Sequence, residues 1–274
     1  MNLVLLINLP HFKMRKIITE FIVLIGIGGL VWAAISLLIN LPSHPVILNP
    51  EKEKMLGDKY TEVILTFNGF EKIDEPEIDS VFKVVSERLS SLAGYEENGF
   101  TIITVKNEMV NAFALPGGNI LITTGLIDFC ESSAELFAIL AHEAGHIVKR
   151  HIITRLIKEL GLELLTSGNS YITAEIAKTL LSNGYNRKQE EEADLYACEI
   201  LEKDNVEPRI LASFFRRLKE NPENSLFSNF EIISSHPNLE KRIKYVLAYE
   251  DENDFSSRID WFSLELLKGK INQK

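Results

Sequence analysis

Ser132–Lys149 reads SSAELFAILAHEAGHIVK. Ser132-Ser133-Ala134-Glu135 has the Ser-x-x-Glu spacing of a capping box, which satisfies amide groups at a helix start. Leu136, Phe137, Ile139, Leu140 and Ala141 follow, so the predicted helix is apolar around most of its first turns and belongs inside a domain. His142 and His146 lie four residues apart and therefore share one face. Two imidazoles in that relation can bind one tetrahedral zinc ion. Glu143 is rotated about 100° from His142. Its carboxylate then sits beside the metal, where it can exchange a proton with a water molecule. Gly145 lets a neighbouring segment approach the helix closely. An amphipathic helix that merely turns His and Glu to solvent conflicts with these apolar flanks.

Two histidines leave a catalytic zinc short of its usual three protein ligands. A third histidine two turns on is excluded, because position 149 is Lys and 152 is Ile. A second predicted helix, Arg187–Lys203, offers Glu190, Glu191 and Glu192. Its apolar stripe runs through Ala193, Ala197, Ile200 and Leu201, and Glu190 and Asp194 fall on that stripe. Glu191 is at the boundary. Glu192 shares a face with Glu199 and Lys203 and is expected in solvent. Glu190 is therefore the predicted third ligand, with Asp128 and Glu131 as the remaining candidates. Asp194, one turn beyond Glu190, is placed to accept a hydrogen bond from a ligand histidine.

These motifs carry a resemblance. HEAGH followed by Asn186-Arg187-x-x-Glu190-x-x-Ala193-Asp194 resembles the gluzincin metallopeptidases that include HtpX-like heat-shock proteases, Oma-like mitochondrial proteases and CaaX prenyl endopeptidases. Asn111-Ala-Phe-Ala-Leu-Pro-Gly-Gly with Ile120–Leu126 is similar to the family's strand pair ahead of the active-site helix, and Ser235-His236-Pro237 with Arg242 to its C-terminal motif. The likeness covers roughly residues 60–250. It implies a mainly helical, zincin-type α+β domain with a small sheet and one Zn2+ per chain. It also implies a substrate-pairing edge strand at Asn111, Ala112, Phe113 and Ala114; an ordinary interior strand is the other reading of that segment. Three roles fit His236: a catalytic oxyanion donor, a cap or core residue at a helix start before Pro237, or a fourth ligand that closes the zinc site. Arg187 is a candidate for orienting Glu190 or substrate. His151, in Lys149-Arg150-His151, is expected on the surface; His11 and His44 carry no site signal.

Outside these motifs, helices are predicted over Glu51–Leu65, from Pro76 to Leu89 with Gly94 beyond its end, over 153–181 with breaks, over Pro208–Lys219 and Pro237–Tyr249, and briefly around Trp261–Leu267. Strands are predicted over Phe100–Val105, Met109–Leu115 and Asn119–Thr123, the last two joined through Pro116-Gly117-Gly118. Phe21–Ile39 is uncharged and about long enough to span a bilayer. Lys13, Arg15 and Lys16 precede it and no Lys or Arg follows before Lys52, so the N-terminus is expected in the cytoplasm and the main domain outside. A cleaved signal segment is the rival reading, and Met14 an alternative start. The expected organisation is a cytoplasmic segment (1–16), a single transmembrane helix (17–40), a linker and first helix (41–59), a zinc peptidase domain (60–250) and a tail (251–274). HtpX-like and CaaX-processing relatives carry several spans, so the single-anchor, extracytoplasmic members are the nearer likeness.

The formal net charge is −10, and the first 45 residues carry only Lys13, Arg15, Lys16 and Glu20, so the main domain is acidic. That argues against a nucleic-acid partner, which needs basic patches. Two cysteines, Cys130 and Cys198, are too few for a disulfide framework. Nothing in the sequence speaks to oligomeric state. The expected function is membrane-anchored, zinc-dependent endoproteolysis of misfolded or membrane-associated polypeptides: His142, His146 and Glu190 hold zinc and Glu143 activates water. The rivals are a zinc-binding chaperone or adaptor that holds proteins without cutting them, and a tethered structural domain without metal.

Overall fold

The computed structural model describes residues 19–32, 49–67, 70–95, 99–161, 175–176, 179–181, 184–220, 236–249 and 255–273. The chain divides into two units, Met1–Leu48 and Asn49–Lys274. In the first, residues 19–32 are helical, with Phe21, Leu24, Leu30 and Trp32 exposed. Among the described residues no helix is long and apolar enough to cross a membrane. The expected span continues through residues 33–40, which lie outside the described residues, as do most of the predicted 153–181 helix and Ser235.

The second unit opens with helix α1, Pro50–Phe67. The expected boundary at residue 60 falls within this helix. α1 is fastened to the Pro116–Gly118 turn at two glycines: a Cβ on Gly57 would lie 1.9 Å from the Pro116 carbonyl oxygen, and one on Gly117 would lie 2.6 Å from Lys54 Cα. Gly117 also has φ 75°, which favours glycine. Next come β1, Glu71–Lys72, and α2, Pro76–Ala93. α2 starts with proline in its first turn, where no amide partner is needed, and ends at Gly94 in the left-handed conformation.

β2 (Thr101–Lys106), β3 (Ala112–Ala114) and β4 (Asn119–Thr123) complete a four-stranded mixed sheet in the order β1-β2-β4-β3. β2 runs parallel to β4, and β3 pairs antiparallel with β4 through Phe113 opposite Leu121. The strand predicted over Met109–Leu115 shortens to three residues. Its first half is a turn, because Asn107 Oδ1 accepts the Met109 N–H at 2.8 Å and Asn111 Oδ1 accepts the Ala112 N–H at 2.9 Å. Asparagine side chains compete with ladder hydrogen bonds in this way.

β4 leads through the short helix α3, Thr124–Phe129, to α4, Ser133–Val148. Ser132 caps α4 by accepting the Glu135 N–H. The reciprocal half of the capping box is replaced: Glu135 accepts from the Glu131 N–H at 2.7 Å and pairs with Arg217. Ala134 to Ile147 are all buried, so α4 is the core of the unit. α5 (His151–Leu160), α6 (Arg187–Lys203), α7 (Ile210–Glu220) and α8 (Leu239–Leu247) follow. α6 packs along α4; a Cβ on Gly145 would be 3.1 Å from Ala193 Cα, so the two backbones nearly touch.

The last helix, α9, Leu264–Ile271, belongs to the same body. Ser133 Oγ accepts the Leu264 N–H at 3.1 Å, and Trp261 meets Phe137 edge to face, 5.2 Å between ring centres. The expected tail thus covers one end of the core helix. Cys130 and Cys198 are both buried thiols.

Candidate metal centre

α4 carries His142, Glu143 and His146 on consecutive turns, and α6 faces them with Glu190 and Asp194. The start of α6 is fixed by a capping box in which Asn186 Oδ1 accepts the Gln189 N–H and Gln189 Oε1 accepts the Asn186 N–H. His142 Nε2 and His146 Nε2 are 3.1 Å apart. Glu190 places one carboxylate oxygen 3.8 Å from the first and the other 3.7 Å from the second. His236, just before α8, adds Nδ1 at 3.2 Å from His142 Nε2 and 3.1 Å from Glu190 Oε1. One donor atom from each of these four buried residues lies within 4.8 Å of all the others.

The chemistry of this donor set fits a cation. Asp194 Oδ1 lies 2.9 Å from His142 Nδ1, so Nδ1 carries the ring proton and Nε2 is a bare lone pair aimed into the cluster. Glu143, Glu190 and Asp194 are all buried, with buried Arg242 beside Glu190 and Asp194. Burial alone would raise the Asp194 carboxyl, yet the charge and hydrogen bonds of Arg242 bring it down to about 2. Glu190 is likewise pulled below its ordinary range by His236 and Arg242, against the effect of burial. Burial drives His146 well below its usual value, which keeps it neutral, as a ligand must be.

Glu143 stands apart from these ligating atoms. Its Oε2 accepts the Ala114 N–H at 2.9 Å, while Oε1 is buried without a hydrogen bond, 3.5 Å from His236 Nε2. Burial raises its pKa, moderated by His236 and His142. A carboxylate that is to take up and return a proton near neutral pH needs such an upward shift. The bond to Ala114 also ties Glu143 to β3, the edge strand of the sheet. Ala112, Phe113 and Ala114 are all buried, and the N–H groups of Ala112 and Ala114 bond to Asn111 Oδ1 and Glu143 Oε2. Asn111 is fully buried and belongs to the turn before it.

Two expectations are corrected, those for His151 and Glu192. Arg187 is exposed at the first turn of α6. Arg242 is the arginine at Glu190: NH1 lies 2.9 Å from Glu190 Oε2, and Nε and NH2 grip Asp194 at 2.8 and 2.7 Å. His151 is buried, because Arg150 adopts φ 58° between α4 and α5 and turns the next residue inward against His146. Glu192 is not simply solvated; its side chain is 39% exposed and bonds to His151. His236 does not cap α8, which begins at Leu239 after Asn238; it is a buried residue at the donor cluster. Tyr185, which the sequence reading passed over, stacks on His146 with ring centres 3.6 Å apart.

The sequence profile of peptidase family M48 matches residues 74–250, well over half of the chain. The chain belongs to peptidase family M48. Curated relatives include the mitochondrial metalloendopeptidase OMA1 of Arabidopsis thaliana, 28% identical over 63% of this chain and 36% of that protein. The beta-barrel assembly-enhancing protease of Escherichia coli K12 is 24% identical over 70% of this chain and 42% of its own length. The metalloprotease LoiP of the same organism is 26% identical over half of this chain and 57% of its own. The chain thus spans well under half the length of the first two. The M48 match includes every residue of the buried donor cluster and the edge strand.

Proposed function

We propose that this M48 chain is a membrane-anchored, zinc-dependent metalloendopeptidase acting on misfolded or membrane-associated polypeptides. The observation that carries the reading is the convergence of His142 Nε2, His146 Nε2 and the Glu190 carboxylate beside a separately held Glu143. Two histidines and one carboxylate with room for a further ligand form a catalytic zinc set. Bound zinc supplies Lewis acidity at the reacting carbonyl. Glu143 takes a proton from the attacking water and passes it to the amine that leaves as the peptide C–N bond breaks. Asp194 holds His142 in its ligating tautomer, and Arg242 keeps Asp194 and Glu190 ionised.

The substrate backbone adds to the outer rim of β3, where main-chain pairing reads an extended shape more than side chains. Because Glu143 and Asn111 hold the Ala114 and Ala112 N–H groups, such a peptide pairs through the β3 carbonyls or displaces those bonds. His236 serves the same centre in one of two ways. Its Nε2 side faces Glu143 and suits an oxyanion donor, whereas Nδ1 sits among the donor atoms and suits a fourth ligand that shuts the site. The segment 17–40, with its uncharged stretch Phe21–Ile39, anchors the chain, with residues 1–16 in the cytoplasm and the peptidase domain on the other side. The name of one relative, a beta-barrel assembly-enhancing protease, accords with work on membrane-associated proteins.

Glu143→Gln is the test. The full chain purified in detergent is expected to keep one zinc and lose hydrolysis of casein by about a hundredfold or more. Hydrolysis at the wild-type rate in that variant overturns the mechanism. Full zinc with measurable casein binding but no turnover in the wild type points instead to a holding protein.

A further inference from the structure

His146 offers its two ring nitrogens to two different neighbours. Nε2 faces His142 in the donor cluster, and Nδ1 lies 2.9 Å from Nδ1 of His151. The other nitrogen of His151, Nε2, is 2.9 Å from Glu192 Oε2. Glu192 Oε1 is in turn 3.4 Å from Lys188 Nζ. His151 is 4% exposed, so this link runs from the surface of α6 to the buried ligand.

The proton positions along the link follow from its outer end. An ionised carboxylate only accepts hydrogen bonds, so a neutral His151 carries its proton on Nε2, toward Glu192. Its Nδ1 is then a lone pair. Away from the donor cluster, where no cation can lie between the rings, a 2.9 Å contact between two nitrogens needs one proton between them, and only His146 Nδ1 can supply it. His146 Nε2 is left as a lone pair pointing at the donor cluster. Asp194 imposes the same tautomer on His142 directly. The two ligand histidines are thus held by different devices: a carboxylate on one, an imidazole backed by a carboxylate on the other.

We propose that His151, oriented by Glu192, is a positioning residue that fixes the tautomer and ring angle of His146 and so strengthens metal binding. The proposal rests on the zinc-site reading above. Neither residue reaches the reacting atoms. Outer-shell partners of ligand histidines commonly alter metal affinity by about 10–100-fold. His151 enters the site only because the left-handed turn at Arg150 separates α4 from α5. Tyr185 stacks on the His146 ring face, so rotation of that ring is limited from a second direction.

Zinc alone is the probe, titrated off the purified full chain with a competing chelator. His151→Leu removes the acceptor and is expected to bind zinc about 10–100-fold more weakly, with one zinc still bound at excess metal. His151→Asn places an amide oxygen near the position of Nδ1 and is expected to hold zinc almost as tightly as the wild type. Glu192→Ala is expected to fall between them. Nitrogen chemical shifts of labelled histidine are expected to show the His146 proton on Nδ1 in the wild type and a mixture of tautomers in His151→Leu. Wild-type affinity in His151→Leu overturns the proposal. So does equal weakening by Leu and Asn, which marks a packing role. Should His151→Leu fail to fold, unchanged affinity in Glu192→Ala overturns it equally. Failure of the zinc site itself looks different: His146→Ala would then bind zinc as the wild type does.

Discussion

Replacing Arg242 with Met tests how the buried charges of the centre are balanced. Arg242 is 1% exposed and makes three short contacts, two to Asp194 at 2.7 and 2.8 Å and one to Glu190 at 2.9 Å. Met fills much of the same volume but leaves both buried carboxylates without their cation. Removing one partner of a buried ion pair costs about 3–5 kcal/mol. Two carboxylates lose their partner here, so the upper half of that range is expected for the metal-free chain. For a domain of this size each kcal/mol lowers the melting temperature by about 2–4 °C, which gives a fall of roughly 8–20 °C. Thermal melts followed by circular dichroism in EDTA read this directly. With zinc present the deficit is expected to shrink, because Glu190 regains a cationic partner while Asp194 keeps only His142. Arg242→Lys, which retains charge but not the two-pronged grip, is expected in between. A metal-free Arg242→Met that melts within about 2 °C of the wild type would refute the reasoning; the carboxylates would then have to be protonated without the arginine.

Two further outcomes follow from the same geometry. The Asp194 carboxyl is held at about 2, below its ordinary 3.8, so it contributes stability that is complete above about pH 4 and is lost as pH falls through 2. Chemical denaturation of metal-free protein is expected to show a loss of roughly 2 kcal/mol across that window, and a flat profile there contradicts the assignment. Gly57→Ala puts a Cβ at 1.9 Å from the Pro116 oxygen, so α1 must lift from the Pro116–Gly118 turn. A cost of about 1–3 kcal/mol is expected, with faster amide exchange in β3; a neutral substitution speaks against a tight clamp.

The parts of the site legible in the sequence were those set by helical periodicity. His142, Glu143 and His146 follow from the 3.6-residue turn, and Glu190 with Asp194 from the apolar stripe of one further helix. What could not be read depends on contacts between distant segments. Arg242 lies 48 residues from Asp194; its place after Ser235-His236-Pro237 marked it as part of a motif but gave no sign that it pairs with two buried carboxylates. His151 follows Lys149 and Arg150, which suggest solvent; only the backbone reversal at Arg150 turns it inward, and that conformation is uncommon for a residue other than glycine. The edge strand was legible as a β segment, but its first half was not, because asparagine side chains satisfy the backbone locally. The roles of α1 and α9 depend on a glycine contact in one case and on Trp261 against Phe137 in the other, neither of which has a periodic signature.

Where Gly145 passes Ala193, main chain meets main chain with no side chain between them. The bite of the site, the span from two imidazoles on one rod to a carboxylate on the other, is therefore gauged by backbone thickness. Side chains elsewhere in the core can be exchanged for others of similar bulk without widening it. The pair of rods behaves as a portable cassette: a glycine, a small residue opposite, and five functional side chains at fixed turns. Such a pair would keep its spacing in another helical bundle only if that bundle supplied a buried cation where α8 here supplies Arg242 to Glu190 and Asp194.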